Sequence, residues 1–272
     1  MKKSDVISFF DRCAPWWDAD MVRNEDVITA ILDNGGIKEG IHVLDVACGT
    51  GVLFPDYLKR GVASVTGIDI SPEMARIARE KFPEVTVLCG DVEATDFDRS
   101  FDAVMVYNAF PHFPDPQHLI ETLAGLLKPG GRLSVAHGMS RAALADHHAG
   151  RASNVSIDLL HERELAKLME PYFEVDVVIS DDRMYQVAGI RLDTPVESHA
   201  VQETPMTELL TLMKYMVSHN DAHAQELTEL AQQLKTAGKE RAYQKVMDAV
   251  AGFDVANAQL SAVLKELQSD MS

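Results

Sequence analysis

The sequence predicts an α/β fold, a doubly wound seven-stranded and mostly parallel sheet, followed by a C-terminal antiparallel helical hairpin. Three observations carry this. Between residue 41 and about 192, short β-branched runs alternate with helix-like stretches, the pattern of strands buried on both faces with helices between them. The run Val43-Leu44-Asp45-Val46 enters a glycine-bearing turn that ends at Gly51, as at the start of a ligand-binding crossover. Beyond residue 205, apolar residues recur at alternating steps of four and three, which is heptad spacing.

Strands are expected at 41–47, 64–70, 85–88, 101–107, 132–137, 173–179 and 184–192. Helices are expected near 52–60, 72–82, 116–127 and 161–169. Ser71-Pro72 opens one of them, with a hydroxyl for the N-cap and proline at the first helical position. Lys128-Pro129-Gly130-Gly131 reads as a stop and turn. Only Ser180 to Arg183 separate the last two strands, too few residues for a crossover helix, so they should form an antiparallel hairpin at a sheet edge.

This divides the chain into residues 1–192, a linker at 193–205 carrying two prolines, and residues 206–272. In the tail one series runs Leu209, Met213, Met216, Asn220, His223, Leu227, Leu230, Leu234, and a second runs Tyr243, Val246, Val250, Phe253, Asn257, Leu260, Leu264, Leu267. Folding the tail at Ala237-Gly238 sets Asn220 opposite Asn257, with His219 and His223 close by. Polar seam residues of this kind specify register. His219 and His223, four apart on one helix face, are alternatively a pair of transition-metal ligands. The hairpin's remaining apolar face would cover a pocket or form a homodimer interface.

The formal charge is −17, from 42 acidic against 25 basic residues. That balance repels phosphate backbones and anionic membranes, so nucleic acid is excluded as a partner. No run of apolar residues is long enough for a membrane span or a signal peptide. Three scattered cysteines, Cys13, Cys48 and Cys89, suit a reducing compartment better than a disulfide framework, and the expected location is the cytoplasm.

The glycine turn Ala47-Cys48-Gly49-Thr50-Gly51 allows close backbone approach to a ligand. The dinucleotide pattern G-x-G-x-x-G fails, because Phe54 stands at the third glycine counted from Gly49, and Ala47 and Val52 break the other register. Asp45 at the strand end suits a cation better than a phosphate. An aspartate at a strand end is, taken singly, more often a turn former than a ligand, but Asp45, Asp69 and Asp91 end three successive strands at one edge of the sheet.

These motifs resemble the class I S-adenosylmethionine-dependent methyltransferases, over roughly residues 5 to 192, with a Rossmann-like methyltransferase fold. The resemblance implies S-adenosylmethionine as cofactor and methyl transfer to a small-molecule acceptor. It implies that Asp45, Gly49 and Gly51 meet the methionine part, that Asp69 with Ile70 meets the ribose diol, and that Asp91 with Val92 meets the adenine. Tyr107 and Asn108, ending the fourth strand, join the same edge. Carboxylates suit ribose hydroxyls, an exocyclic amine and a sulfonium.

On the acceptor side, Phe10-Asp11-Arg12-Cys13-Ala14-Pro15-Trp16-Trp17-Asp18 resembles the N-terminal segment of small-molecule methyltransferases such as those of quinone biosynthesis, where it folds over the site. Trp16 and Trp17 would shield the methyl group or simply pack. Phe110 and His112 follow the fourth strand, and His112 is the first candidate for a base. The segment departs from the Asn-Pro-Pro-aromatic motif of methyltransferases acting on nucleobase or glutamine amides. His137, His147 and His148 are further substrate-side candidates. Two rivals remain: a nicotinamide-dependent oxidoreductase, which fails on the glycine pattern and leaves Asp91 unused, and a non-catalytic cofactor- or metal-sensing protein that recruits a partner through its tail.

Overall fold

Alternation with period two decides the core. In β1 (His42–Val46), Leu44 and Val46 face one layer while Val43 faces the other, and the same split recurs in β4 (Phe101–Tyr107), with Val104 and Val106 opposite Ala103 and Met105. Sealing each such Leu, Ile or Val from water contributes about 1.5–3 kcal/mol. The computed structural model describes residues 2–19, 23–141, 143–144, 155–193, 213, 217, 220, 224, 227, 228 and 230–269. The chain divides into two units, Met1–Ser198 and His199–Ser272.

The first unit holds a seven-stranded sheet in the order β3-β2-β1-β4-β5-β7-β6. The other strands are β2 (Ser64–Asp69), β3 (Thr86–Cys89), β5 (Leu127–His137), β6 (Phe173–Ser180) and β7 (Tyr185–Arg191). β3, β2, β1, β4 and β5 run parallel. β7 is antiparallel to both β5 and β6, so the expected terminal hairpin is present, with its second strand inserted next to β5.

Helices cover both faces. α1 (Lys3–Cys13) and α2 (Glu25–Asn34) precede the sheet, and α3 (Phe54–Lys59), α4 (Pro72–Lys81), α5 (Pro116–Leu126) and α6 (Glu162–Met169) connect its strands. α2, absent from the expected set, has a legible signal: the Asn24 side chain accepts from the Val27 amide at 3.2 Å, and Val27, Ile28, Ile31 and Leu32 form one buried stripe. Ser71 caps α4 as expected, accepting from Met74 at 3.2 Å. His161 caps α6, and the Glu164 carboxylate accepts from the His161 amide at 3.1 Å.

The helix stops as expected before Lys128-Pro129-Gly130-Gly131, α5 ending at Leu126, but the expected turn is corrected: these residues lie within β5. Leu127 already pairs with Phe101, and a register shift between Phe101 and Ala103 takes up the irregularity, with Gly130 at φ 72°, a conformation open to glycine. Across the sheet, Gln186 of β7 donates to the Ile31 carbonyl and to Ser134 Oγ, both at 2.9 Å, and accepts from Asn34 at 2.9 Å. One fully buried amide thus ties α2 to β5 and β7.

In the second unit, residues 230–236 are helical, and α7 spans Glu240–Ser269. Gly238 at φ 70° makes the turn. Its amide donates to Lys235 at 3.0 Å while the Lys239 amide donates to Leu234 at 2.9 Å, a Schellman closure. Val250, Asn257 and Leu264, spaced by seven, are buried. Asn220 donates to Asn257 at 3.2 Å, and Asn257 donates to the Val217 carbonyl at 2.8 Å, the pairing that folding the two series at Ala237-Gly238 predicts. Leu209, Met216, His219, His223 and linker residues 194–205 lie outside the described residues.

Replacing Gln186 by Leu leaves the Ile31 carbonyl and the Asn34 amide without their buried partner. The expected cost is about 2–3 kcal/mol, read as a lower denaturation midpoint at unchanged slope.

Candidate functional site at the carboxyl edge of the sheet

The carboxyl ends of β1, β2 and β3 meet around one carboxylate. Asp69, 7% exposed, accepts from the Gly49 amide through Oδ2 at 2.8 Å and from the Ser71 amide through Oδ1 at 2.8 Å. Its own carbonyl accepts from Gly90 at 2.9 Å. Asp69 therefore joins the glycine turn, the start of α4 and the end of β3. Burial pushes its pKa up to about 6, the Ser71 and Gly49 amides opposing the rise and Asp11 adding to it. Each oxygen retains a second lone pair for a ligand hydroxyl.

The turn is tightly wound. Ala47, Gly49 and Gly51 have φ of 54°, 55° and 85°, and the Cys48 amide donates to Ile68 at 3.1 Å. A left-handed alanine costs on the order of 1 kcal/mol. Asn108, ending β4, is likewise left-handed at φ 55°, and its side chain accepts from the Gly138 amide at 2.9 Å. Both strained non-glycine residues thus sit at the same sheet edge, a concentration typical of functional sites. Neither strain was legible beforehand, because alanine and asparagine carry no sequence mark of it.

Asp45 is 2% exposed, and its Oδ2 and the Tyr57 hydroxyl are buried with no hydrogen-bond partner. Burial pushes its pKa up to about 8, with the nearby Tyr57 hydroxyl opposing and the Asp69 charge adding. A cationic ligand beside this carboxyl would favour its ionised form and give the buried oxygen a partner. The Cys48 thiol is held well above its usual range by burial and then by Asp45 and Asp69, so it is a neutral packing residue.

Asp91 caps a short 3-10 turn, Val92–Ala94, by accepting from the Glu93 amide at 3.1 Å. Its other oxygen accepts from Lys3 Nζ at 2.5 Å. Val92 is buried and Ile70 half-buried. At Gly49 the nearest neighbour of a Cβ position is Trp17 Nε1 at 3.8 Å, which leaves room along the turn.

The N-terminal segment lies across these loops. Asp11 accepts from Ser71 Oγ at 2.6 Å and from the Glu73 amide at 3.2 Å. Asp18 accepts from Thr50 Oγ1 at 2.6 Å and from Lys81 at 2.7 Å; burial opposes its ionisation, but those two donors hold its pKa below the usual range. The tryptophans separate: Trp16 is 71% exposed, whereas Trp17 packs edge-on against Phe10 at 5.6 Å. Lys3 and Lys81 were not singled out from sequence, since nothing local marks a lysine whose partner lies more than sixty residues away.

Phe10 also meets His112 edge-on at 4.8 Å. His112 Nδ1 lies 2.8 Å from the Val155 carbonyl, and a carbonyl only accepts, so Nδ1 carries a proton. The Ile157 amide donates to Pro111 at 2.8 Å, a second tie between the two segments. Phe110 is buried in the core. Tyr107 is half-buried, and burial raises its pKa first. His137 is fully buried, 6.0 Å from the Tyr185 ring. His147 and His148 lie outside the described residues. Among the described residues no group of three His, Cys, Asp or Glu could hold a metal, and no helix is long and apolar enough to cross a membrane. A depression of about 620 Å³ at the opposite sheet edge is lined by Lys128, Arg132 and Ile190; Lys128 pairs with Asp102 and Arg132 with Asp176, and it is remote from these loops.

Residues 43–131 match a family described as methyltransferase domain, and residues 209–267 match a domain of unknown function. A ubiquinone biosynthesis O-methyltransferase of Xanthomonas oryzae is 36% identical over 146 residues, covering 48% of this chain and 59% of the relative. That of Coxiella burnetii is 32% identical over 141 residues, covering 48% and 60%. The chain thus spans about three-fifths of the curated relatives it matches. Among solved structures, the N-methyltransferase NodS of Bradyrhizobium japonicum with S-adenosyl-L-homocysteine has a TM-score of 0.55 at 12% identity, covering 70% of this chain and 97% of that one. The DhpI–SAH complex has a TM-score of 0.56 at 19% identity, covering 71% and 98%. The fold is the Rossmann-like fold of these methyltransferases.

Asp69 binds more protons folded than unfolded from about pH 4 to about 6, and Asp45 from about pH 4 to about 8, so stability falls as pH rises across those windows and levels off above the folded values. Asp45→Asn removes the upper part of that slope, up to about 1.4 kcal/mol per pH unit. Denaturation midpoints of wild type and variant should diverge in the variant's favour from pH 6 to 8, and parallel profiles would refute the assignment.

Proposed function

We propose that this chain, which matches a methyltransferase domain over residues 43–131, is a class I S-adenosylmethionine-dependent methyltransferase that transfers a methyl group from S-adenosylmethionine to a small-molecule acceptor. The observation that carries the reading is the Asp69 carboxylate clamping the glycine turn between Asp45 and Asp91 at successive strand ends. Glycine-turn amides and carboxylates at the topological edge of an open sheet form a ligand crevice. When bound, the cofactor supplies a methyl group on a sulfonium, and S-adenosylhomocysteine is the product.

Asp45, Gly49 and Gly51 would hold the methionine end, the orphaned Asp45 oxygen meeting positive charge. Asp69 with Ile70 would hold the ribose diol and Asp91 with Val92 the adenine, beside Tyr107 and Asn108. Trp17 and Phe10 would exclude water from the transfer. Alignment and desolvation supply most of the rate.

The acceptor we favour carries an ionisable hydroxyl, a reading supported by the O-methyltransferase names of the relatives and by the Nδ1 hydrogen bond of His112. Nε2 would take the hydroxyl proton as the oxygen attacks the methyl carbon, while the Val155 carbonyl holds Nδ1–H and steadies the ring.

The domain reading that accompanies this is a catalytic part over 1–192, a linker over 193–205 and a helical hairpin over 206–272, supported by the unit boundary at Ser198 and the separate match over 209–267. Homodimerisation through the hairpin is supported by the exposure of Phe253, Val255 and Val263 on α7. Cytoplasmic location accords with three free cysteines.

Calorimetric titration tests the cofactor assignment. S-adenosylmethionine should bind in the micromolar range, NAD should not, and Asp69→Ala should abolish binding; preference for NAD would overturn the reading. With a phenolic acceptor set, His112→Ala should lower kcat by about 10²–10⁴ at unchanged cofactor affinity. Light scattering should give a dimer mass that reverts to monomer in Phe253→Glu.

A further inference from the structure

α1 begins at a contact that the cofactor reading does not use. Lys3 Nζ stands 2.5 Å from Asp91 Oδ2 and 2.6 Å from Glu93 Oε2. Asp91 Oδ1 already accepts from the Glu93 amide. The Glu93 side chain is 6% exposed, and its second oxygen is buried with no hydrogen-bond partner. Two carboxylates two residues apart repel, and the ammonium between them relieves that repulsion. Hydrogen bonds to both acids, together with their charge, raise the Lys3 pKa against the effect of burial, so the lysine is charged at neutral pH.

Asp91 Oδ2 is the oxygen not engaged in the capping bond, and an adenine amine approaching it meets the Lys3 ammonium. We propose that Lys3 is a gate on this site: its ammonium holds the donor position on Asp91, and an adenosine ligand engages Asp91 by displacing it. This rests on the cofactor reading and adds a regulation to it. The gate is the lysine side chain alone, because Asp11 and Asp18 anchor the rest of the N-terminal segment to Ser71 and Thr50. With those anchors intact, the lysine can swing away while the segment stays over the glycine turn. Lys3 is partly exposed, at 42% of its side chain, so its bond to Asp91 is weak enough for a ligand to break.

Lys3→Ala tests this by calorimetry with two ligands. S-adenosylhomocysteine carries the adenine amine and should bind the variant about two- to five-fold tighter than wild type, the range of an exposed ion pair. S-inosylhomocysteine carries a carbonyl in place of the amine. That carbonyl accepts from Lys3, so the variant should bind it more weakly than wild type. A merely structural role for Lys3 moves both affinities in the same direction, and that result, or unchanged affinities, overturns the gate. Failure of both proteins to bind either ligand overturns the cofactor reading itself, and the gate with it. Matching thermal unfolding curves confirm that the exposed substitution leaves the fold intact.

Discussion

The Asp69 carboxylate is the interaction on which the site depends. A tight glycine turn has backbone amides with no sheet partner, and a helix beginning at Pro72 leaves its first amides unpaired. One buried carboxylate accepts from both at 2.8 Å, so the turn after β1 and the helix after β2 are held at fixed separation. Parallel strands in register, Val46 beside Ile68 and Asp69 beside Cys89, bring those loops to one edge. Without the carboxylate the topology would still bring them near one another, but not at a separation fit to grip a small ligand.

That arrangement is costly. Burial raises both Asp45 and Asp69, and Ala47 and Asn108 take left-handed backbone conformations. The opposite layers of the sheet carry the compensation in Leu44, Val46, Val104 and Val106 on one side and Ile28, Ile31 and Tyr57 on the other. Destabilising groups gathered at one edge of a well-packed sheet are typical of functional sites.

The N-terminal segment gives the edge its cover. Lys3, Asp11 and Asp18 reach the ends of β3 and β2 and the glycine turn in order along α1 and its extension, and Phe10 packs on His112. Cover and site therefore share hydrogen bonds, and movement of one is felt by the other. In the second unit the Asn220–Asn257 pair sets register in the same manner, as a polar contact that a slipped helix could not make.

Much of this was legible in the residues. Short β-branched runs between helix-like stretches determined the strands, the short Ser180–Arg183 link determined the antiparallel hairpin, and heptad steps determined which asparagines would face each other, because each depends on local pattern along the chain. Asp45, Asp69 and Asp91 were legible as a set because the strand order brings strand ends together. Tertiary structure alone decided that β5 begins at Leu127, that Trp16 faces solvent while Trp17 packs inward, that His112 is protonated on Nδ1, and that Asp91 is already held by Lys3. Each of these turns on a partner distant in sequence, and partnership across a fold leaves no periodic trace in the residues that make it.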